Sequence, residues 1–520
     1  MSIDELDDFL GLKPRFDIPP AARRSMSQVG LLSPSEGGLP TGSLAKQPPK
    51  LVRAVLAGTK GPLVSRWGHI LLRRALASRL TAPDGMRPAE FASLRIGVLN
   101  RIGEFATARR LAQDVDTGNW TKGLTGQAMR AYLAAGDLTG ACPAIRIRPA
   151  DRDDAQWKMW QAICNAYAGE SALAGSILNE ALAKKIAPEV DIQLAQRHAG
   201  AAGRSRRGTA VAWDDVEKIS PWRFSLAYAV GEEIPEGLLE DLPSYYHWSG
   251  AITPSVSLQQ RAAFADRAAE DGILSSRAMV DLYSQIYADS EIGGEYADRA
   301  GRLRNAYVAS DPAARVSAMR GLWGTLDGEL TTPDYAASVM TAYAAARITP
   351  SAQFDSYAGE ILTSMLAAGL DRDAKTWANV VEEGSLGWAL IALTDPEAKT
   401  ASADGIDSFI GSDDSEDYRK SAFLVAGMGG LGRISAAQLS DFAGDVNFDP
   451  ARQTRWTRMI ERAAQVDNRA MVALLAGLGM QGSEWSQMTP LHLYYITKAL
   501  REVGLEAEAR MIAAEAVARG

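Results

Sequence analysis

The chain has 520 residues, 47% of them hydrophobic and 23% charged, with a formal net charge of −8. That balance is ordinary for a soluble globular protein with room for several domains or one long repeat array. It excludes a chain that is basic overall, the footprint of a nucleic-acid binder, and no apolar run reaches the ~18 residues of a membrane-spanning helix.

The first residues, MSIDELDDFLGLKPRFDIPP, are acidic and lack the basic and apolar regions of a signal peptide. The sequence therefore fits either a protein that stays inside the cell or a mature form whose export signal has been removed. Residues 1–50 carry Pro14, Pro19, Pro20, Pro34, Pro40, Pro48 and Pro49 together with the turn run SEGGLPTGS. Proline removes a donor and fixes φ, so this stretch predicts an extended arm with one short helix near residues 3–11. Leu31, Leu32, Leu39 and Leu44 predict that the arm lies along the folded body.

From residue 51 onward the pattern is helical almost throughout, and alternating β-branched runs are scarce. Gly103-Glu104, Gly136-Asp137 and Gly169-Glu170 recur every 33 residues, each after an apolar helical stretch and each followed by alanine at 108, 141 and 174. The C-terminus repeats the pattern with Gly504 and Ala509. Glycine ends one helix and permits a left-handed turn, and alanine lets the returning helix approach closely. A second recurrent signal is Ser, Thr or Asp followed by Pro, at positions 220, 253, 311, 332, 349, 395, 449 and 489. The first residue can cap a helix and proline at its first position already has the right φ. Residues 51–210 thus read as helical repeats, 211–310 as a helical middle segment with an aromatic loop, and 311–520 as a C-terminal helical-repeat segment.

The 33-residue units resemble tetratricopeptide-like repeats of bacterial type over residues 88–205 and the final 30, although several first-helix aromatics and a closing proline are missing. The resemblance implies an all-α fold, a right-handed superhelix (α-solenoid) of antiparallel helix hairpins behind the Pro-rich arm. From chain length, about 25 helices are expected.

The chemistry carried by the sequence is sparse. Cys142 and Cys164 are the only cysteines, with no histidine between them, so neither a close pair of zinc ligands nor a C-x-x-C redox motif is present. They fall on one predicted inter-repeat interface, Cys164 roughly one helical turn out of register with Cys142, and are either a disulfide or two buried thiols. A disulfide would indicate a periplasmic or otherwise exported protein; the cytoplasm is the alternative. The four histidines, His69, His198, His247 and His492, are widely separated. Gly427, Gly429, Gly430 and Gly432 resemble a dinucleotide-binding turn but lack the flanking strand, and read more simply as a helix end before a helix capped by Ser435. GRSRRG at 203–208 is a basic connection. Tyr245, Tyr246, His247 and Trp248 form an aromatic loop suited to a peptide or a sugar, or else an aromatic plug under a helix hairpin.

No catalytic motif, cofactor or metal site is evident. The expectation is a non-enzymatic protein–protein interaction scaffold or adaptor that holds a protein or peptide partner in a superhelical groove, without nucleic acid and without a membrane span. The alternative is a carbohydrate- or cell-wall-associated helical protein that binds or cleaves a glycan, which would need two carboxylates facing an aromatic-lined cleft.

Overall fold

The computed structural model describes residues 22–202, 210–326, 329–330 and 334–520. The expected helix at 3–11, the prolines at 14, 19 and 20, the basic connection at 203–208 and the Thr332-Pro333 pair lie outside or partly outside the described residues. Among the described residues there are 26 α-helices. The strands there are the two-residue β1 (Thr325–Leu326) and β2 (Glu329–Leu330), an antiparallel hairpin.

In chain order the helices are α1 (Pro49–Gly58), α2 (Arg66–Ala77), α3 (Pro88–Arg101), α4 (Phe105–Gln113), α5 (Lys122–Ala134), α6 (Cys142–Ile147), α7 (Ala155–Tyr167), α8 (Ser171–Ala183) and α9 (Glu189–Ala202). The middle contributes α10 (Pro221–Val230), α11 (Ser244–Ile252), α12 (Leu258–Glu270), α13 (Ser276–Ala288), α14 (Gly294–Val308), α15 (Pro312–Leu322), α16 (Tyr335–Ala345), α17 (Ala358–Ala367) and α18 (Asp371–Lys375). The last group is α19 (Leu386–Thr394), α20 (Ala403–Ser412), α21 (Arg419–Leu431), α22 (Ala436–Asp445), α23 (Arg455–Gln465), α24 (Arg469–Gly479), α25 (Pro490–Glu502) and α26 (Glu506–Arg519).

The repeat signals act as their chemistry dictates. Gly103, Gly136, Gly169 and Gly504 all take positive φ, between 66° and 88°, directly after a helix. The alanines five residues on, Ala108, Ala141, Ala174 and Ala509, are buried. Consecutive helices pack as pairs (α3 with α4, α7 with α8, α25 with α26), and helices also pack on their second neighbour (α3 on α5, α7 on α9, α17 on α19). The proline signal is less selective. Ser220, Asp311 and Thr489 cap α10, α15 and α25 through their side-chain oxygens. Thr253, Thr349, Asp395 and Asp449 instead precede turns, and the next helix starts at a later Ser or Thr such as Ser257, Ser402 or Thr454. The reason is that φ near −65° suits the second position of a type I turn as well as the first turn of a helix.

Residues 22–48 contain no α-helix. They run beside the end of α2: the Leu31 amide donates to the Ala77 carbonyl at 2.7 Å and the Arg79 amide to that of Leu32 at 2.8 Å. Leu39 and Leu44 are buried. Arg95 of α3 secures this seam. Its guanidinium is buried and donates to the carbonyls of Val29 (2.8 Å), Leu76 (2.8 Å) and Ser78 (2.5 Å).

The two ends of the described chain meet. The last helix, α26, packs on α2 as well as on α17, α19, α21 and α25, and both α1 and α2 pack on α24. Helix α2 is the hub of this closure. Glu515 of α26, itself buried, accepts from the Ser65 hydroxyl (2.6 Å) and from the amides of Arg66 (2.8 Å) and Trp67 (3.1 Å), which are free donors at the start of α2. Along α2, Arg66 donates to the carbonyls of Ala269, Leu274 (2.9 Å) and Ala367 (3.2 Å), and Arg73 to that of Gly272 (3.1 Å). These carbonyls end or follow α12 and α17, where a cation is favoured by the helix dipole. Between them His69 and Arg73 meet the buried Glu104 carboxylate at 2.9 and 2.8 Å.

Candidate functional site

Tyr245, Tyr246, His247 and Trp248 lie in helix α11 rather than in a loop. Pro243 precedes its first residue, and Gly250, whose missing side chain leaves room for the Phe264 ring, lets α11 cross α12 closely. The rings turn into the packing. Tyr245 meets Phe105 and Tyr246 edge-on, each at 5.1 Å, and Tyr246 meets Phe224 at 5.1 Å. The Tyr246 hydroxyl donates to the Ile219 carbonyl at 3.0 Å, and the Trp248 indole N–H donates to Asp271 at 2.7 Å. His247 packs against Phe264 at 5.6 Å, and burial lowers its pKa. Tyr246 and Trp248 are buried, while Tyr245 and His247 are partly exposed.

Cys142 opens α6 and Cys164 lies in the last turn of α7, with Cα atoms 5.2 Å apart and sulfurs at bonding distance, 2.08 Å. The expected one-turn offset does not separate them, because the returning element is not a regular helix. Thr139–Ala141 is a 3-10 turn and α6 has only six residues, so Cys142 sits where the chain bends back over α7. The Trp160 indole N–H pins that bend by donating to the Leu138 carbonyl at 2.9 Å.

The remaining sequence signals are structural. Gly427, Gly429 and Gly430 lie inside α21, and Gly432 ends it with φ 68° before Ser435 caps α22. A Cβ on Gly430 would stand 1.9 Å from the Thr497 hydroxyl, so this glycine lets α21 seat against α25, while Gly427 faces Leu393 and Ala513 and Gly429 faces Leu439. His69 belongs to the Glu104 network, and His198 is buried, with burial pushing its pKa down to about 4. His492 contacts Thr489 at 2.7 Å and the Trp456 ring. Among the described residues no group of three or more His, Cys, Asp or Glu could hold a metal ion.

Among the described residues two further concave sites stand out, and no sequence motif marks either. The first is a groove of about 530 Å³ between α1, α23 and α24, lined by Leu51, Met459, Met471 and Leu475. Its rim carries Arg455, Arg458 and Arg462, one exposed stripe of α23, while Ile460, Ala463 and Ala464 face inward. Among the described residues, the side chains of these three arginines make no ion pair or hydrogen bond. Val466, 55% exposed, continues the apolar floor outward. The R-x-x-R-x-x-x-R spacing was readable, but arginine is common throughout the chain and hides it.

The second is a cavity of about 330 Å³ where the ends of α12, α16, α17, α21 and α26 converge. Glu270, Asp334, Glu360, Lys420 and Arg519 line it, with Tyr335 on its wall. Burial raises the pKa of all three carboxyls. Asp334 is committed locally: it caps α16 through the Ala337 amide (2.8 Å) and pairs with Arg299 (3.1 Å). Arg519 pairs with Glu515 at 2.9 Å and stacks over the Tyr335 ring at 4.1 Å. Glu270, Glu360 and Lys420 have no ion-pair partner among the described residues. Their positions, 270, 360 and 420, share no motif, so only the folded path brings them together.

Comparison with protein families, curated proteins and solved structures returns no match to the chain.

Proposed function

We propose that this protein is a non-enzymatic interaction scaffold and that the α23 groove is where a partner docks. The observation that carries this reading is the stripe Arg455, Arg458 and Arg462, exposed beside an apolar floor and without an acidic partner among the described residues. Guanidinium groups over a hydrophobic groove suit a protein segment that supplies carboxylates for the rim and apolar side chains for the floor. A neutral glycan would leave the three charges unanswered, and most of the ring surface of Tyr245–Trp248 that could have stacked on sugars is spent on packing.

The finer architecture belongs to the same proposal: a right-handed α-solenoid of degenerate tetratricopeptide-like hairpins, of bacterial type, with a Pro-rich N-terminal arm. The 33-residue period, the left-handed glycines and the second-neighbour packing favour it. The backbone bonds from Leu31 and Arg79 favour an arm laid along α2. The Cys142–Cys164 pair favours an oxidising, exported location over the cytoplasm.

Crosslinking mass spectrometry on complexes captured with the full chain tests the docking site. Crosslinks from the partner are expected around residues 46–51 and 455–471, through an acidic segment of that partner, and capture is expected to fall when salt is raised. The triple charge reversal R455E/R458E/R462E should abolish capture while leaving the melting temperature within a few degrees. A partner that crosslinks elsewhere, or is retained by the triple variant, overturns the proposal.

A further inference from the structure

The convergent cavity has the features of a binding site for a small cationic ligand, and these do not depend on the α23 groove. Tyr335 is 8% exposed and lines the cavity, where its hydroxyl makes no hydrogen bond among the described residues. Among the described residues, Glu270 and Glu360 stand in the same space without a cation within 4 Å, whereas Asp334 and Glu515 are both paired. Both are half-buried, and a carboxylate that has given up part of its hydration gains from a proton or a counter-charge. Burial does raise both carboxyls, so they are held in a state that gains from an incoming cation. Among the described residues, Lys420 is the cation lining the cavity that lacks an ion pair, since Arg519 is committed to Glu515.

We infer that this cavity binds a basic α-amino acid, its ammonium groups taken by Glu270 and Glu360 and its carboxylate by Lys420. The unsatisfied charge is two carboxylates against one ammonium, the complement of a molecule with two cationic groups and one carboxylate. Tyr335 supplies a hydroxyl at the wall, and Leu386 and Ala518 supply apolar surface for an alkyl stem. The volume of about 330 Å³ falls at the small end of the range for small-molecule sites, roughly 300–1,000 Å³.

Isothermal titration calorimetry on the full chain with L-lysine, 1,4-diaminobutane and L-glutamate tests the assignment. L-Lysine should bind, and E270Q or E360Q should weaken it roughly tenfold or more, the loss of one charge-assisted contact. K420M should weaken L-lysine and leave the diamine unchanged. The glutamine variants remove a half-buried charge that has no ion pair among the described residues and keep the side-chain shape, so folding is not put at risk. In the unmutated protein, L-lysine should protect Glu270 and Glu360 from carbodiimide labelling read by mass spectrometry. The assignment is overturned if L-lysine gives neither heat nor protection, if L-glutamate binds as tightly, or if folded E270Q and E360Q keep full affinity.

Discussion

Replacing Glu515 by Ala should open the junction between the two ends of the chain. In the native protein this carboxylate, 1% exposed, holds the Ser65 hydroxyl at 2.6 Å, the Arg66 and Trp67 amides at 2.8 and 3.1 Å, and Arg519 at 2.9 Å. Alanine leaves two amides at the start of α2 without an acceptor and Arg519 without its counter-charge. A hydrogen bond to a charged group is worth roughly 1.5–3 kcal/mol, so the two amides alone give about 3 kcal/mol at the lower bound. That corresponds to a factor of roughly 150 in a local opening equilibrium. A chain of this size does not unfold in one step, so a global unfolding energy is the wrong readout. Hydrogen exchange resolved to single amides is the right one. The Arg66 and Trp67 amides of Glu515→Ala should exchange roughly 100-fold faster, while α7–α9 keep their native rates. Glu515→Gln, which retains an acceptor oxygen, should fall between. Exchange at Arg66 and Trp67 within threefold of the native rate would refute the reasoning.

Three further outcomes are expected. Reducing the Cys142–Cys164 bond releases a loop with a sequence separation of 22, which should cost about 3 kcal/mol of local stability; a reductant-insensitive melting curve, or two thiols labelled after denaturation without reductant, would contradict this. His198, near pKa 4 when folded against about 6.5 when free, stays neutral in the native state while the unfolded chain takes up a proton. Its stabilisation, at most about 3 kcal/mol, is therefore complete above pH 6.5 and lost as pH falls from 6.5 towards 4. His198→Gln should flatten the stability profile in that window, and an unchanged slope would show the imidazole is not the titrating group. Gly430→Ala should destabilise by about 1–3 kcal/mol, because a methyl there meets the Thr497 hydroxyl at 1.9 Å and the Tyr494 carbonyl at 2.8 Å. Gly444→Ala, with open space around it on an exposed face of α22, should be neutral or stabilising by up to about 1 kcal/mol; equal melting temperatures for the two variants would contradict the packing argument.

What could be read from the sequence was local. Glycine at 103, 136, 169 and 504 speaks for its own φ, and the alanine five residues on speaks for the next helix, so the hairpins were legible. Ser, Thr or Asp before proline was only half legible, because a turn and a helix start share the same first dihedral. The stretch Ser244–Ile252 was misread as a loop; its aromatics are helix residues whose rings are shared with Phe105, Phe224 and Phe264. The sites were hidden for a different reason. Arg66 meets carbonyls some 200 and 300 positions away, and Glu270, Glu360 and Lys420 line one cavity with residues of α26. No period or motif in one chain marks which charges will be left unpaired by such a closure.

The closure also sets an order of events during synthesis. Ser65 and the carboxylate of Glu515 are separated by 450 positions. At a ribosomal rate of roughly 5–20 residues per second, α2 emerges on the order of 20–90 s before its capping group exists. Throughout that interval Arg66 lacks the α12 and α17 carbonyls until each is made in turn, and the apolar side of α2 has no α24 or α26 to cover it. The N-terminal hairpins can form as they are made, but the keystone helix has to be kept from other surfaces until α26 is made. Loss of α26 therefore strikes at α2, some 450 positions earlier.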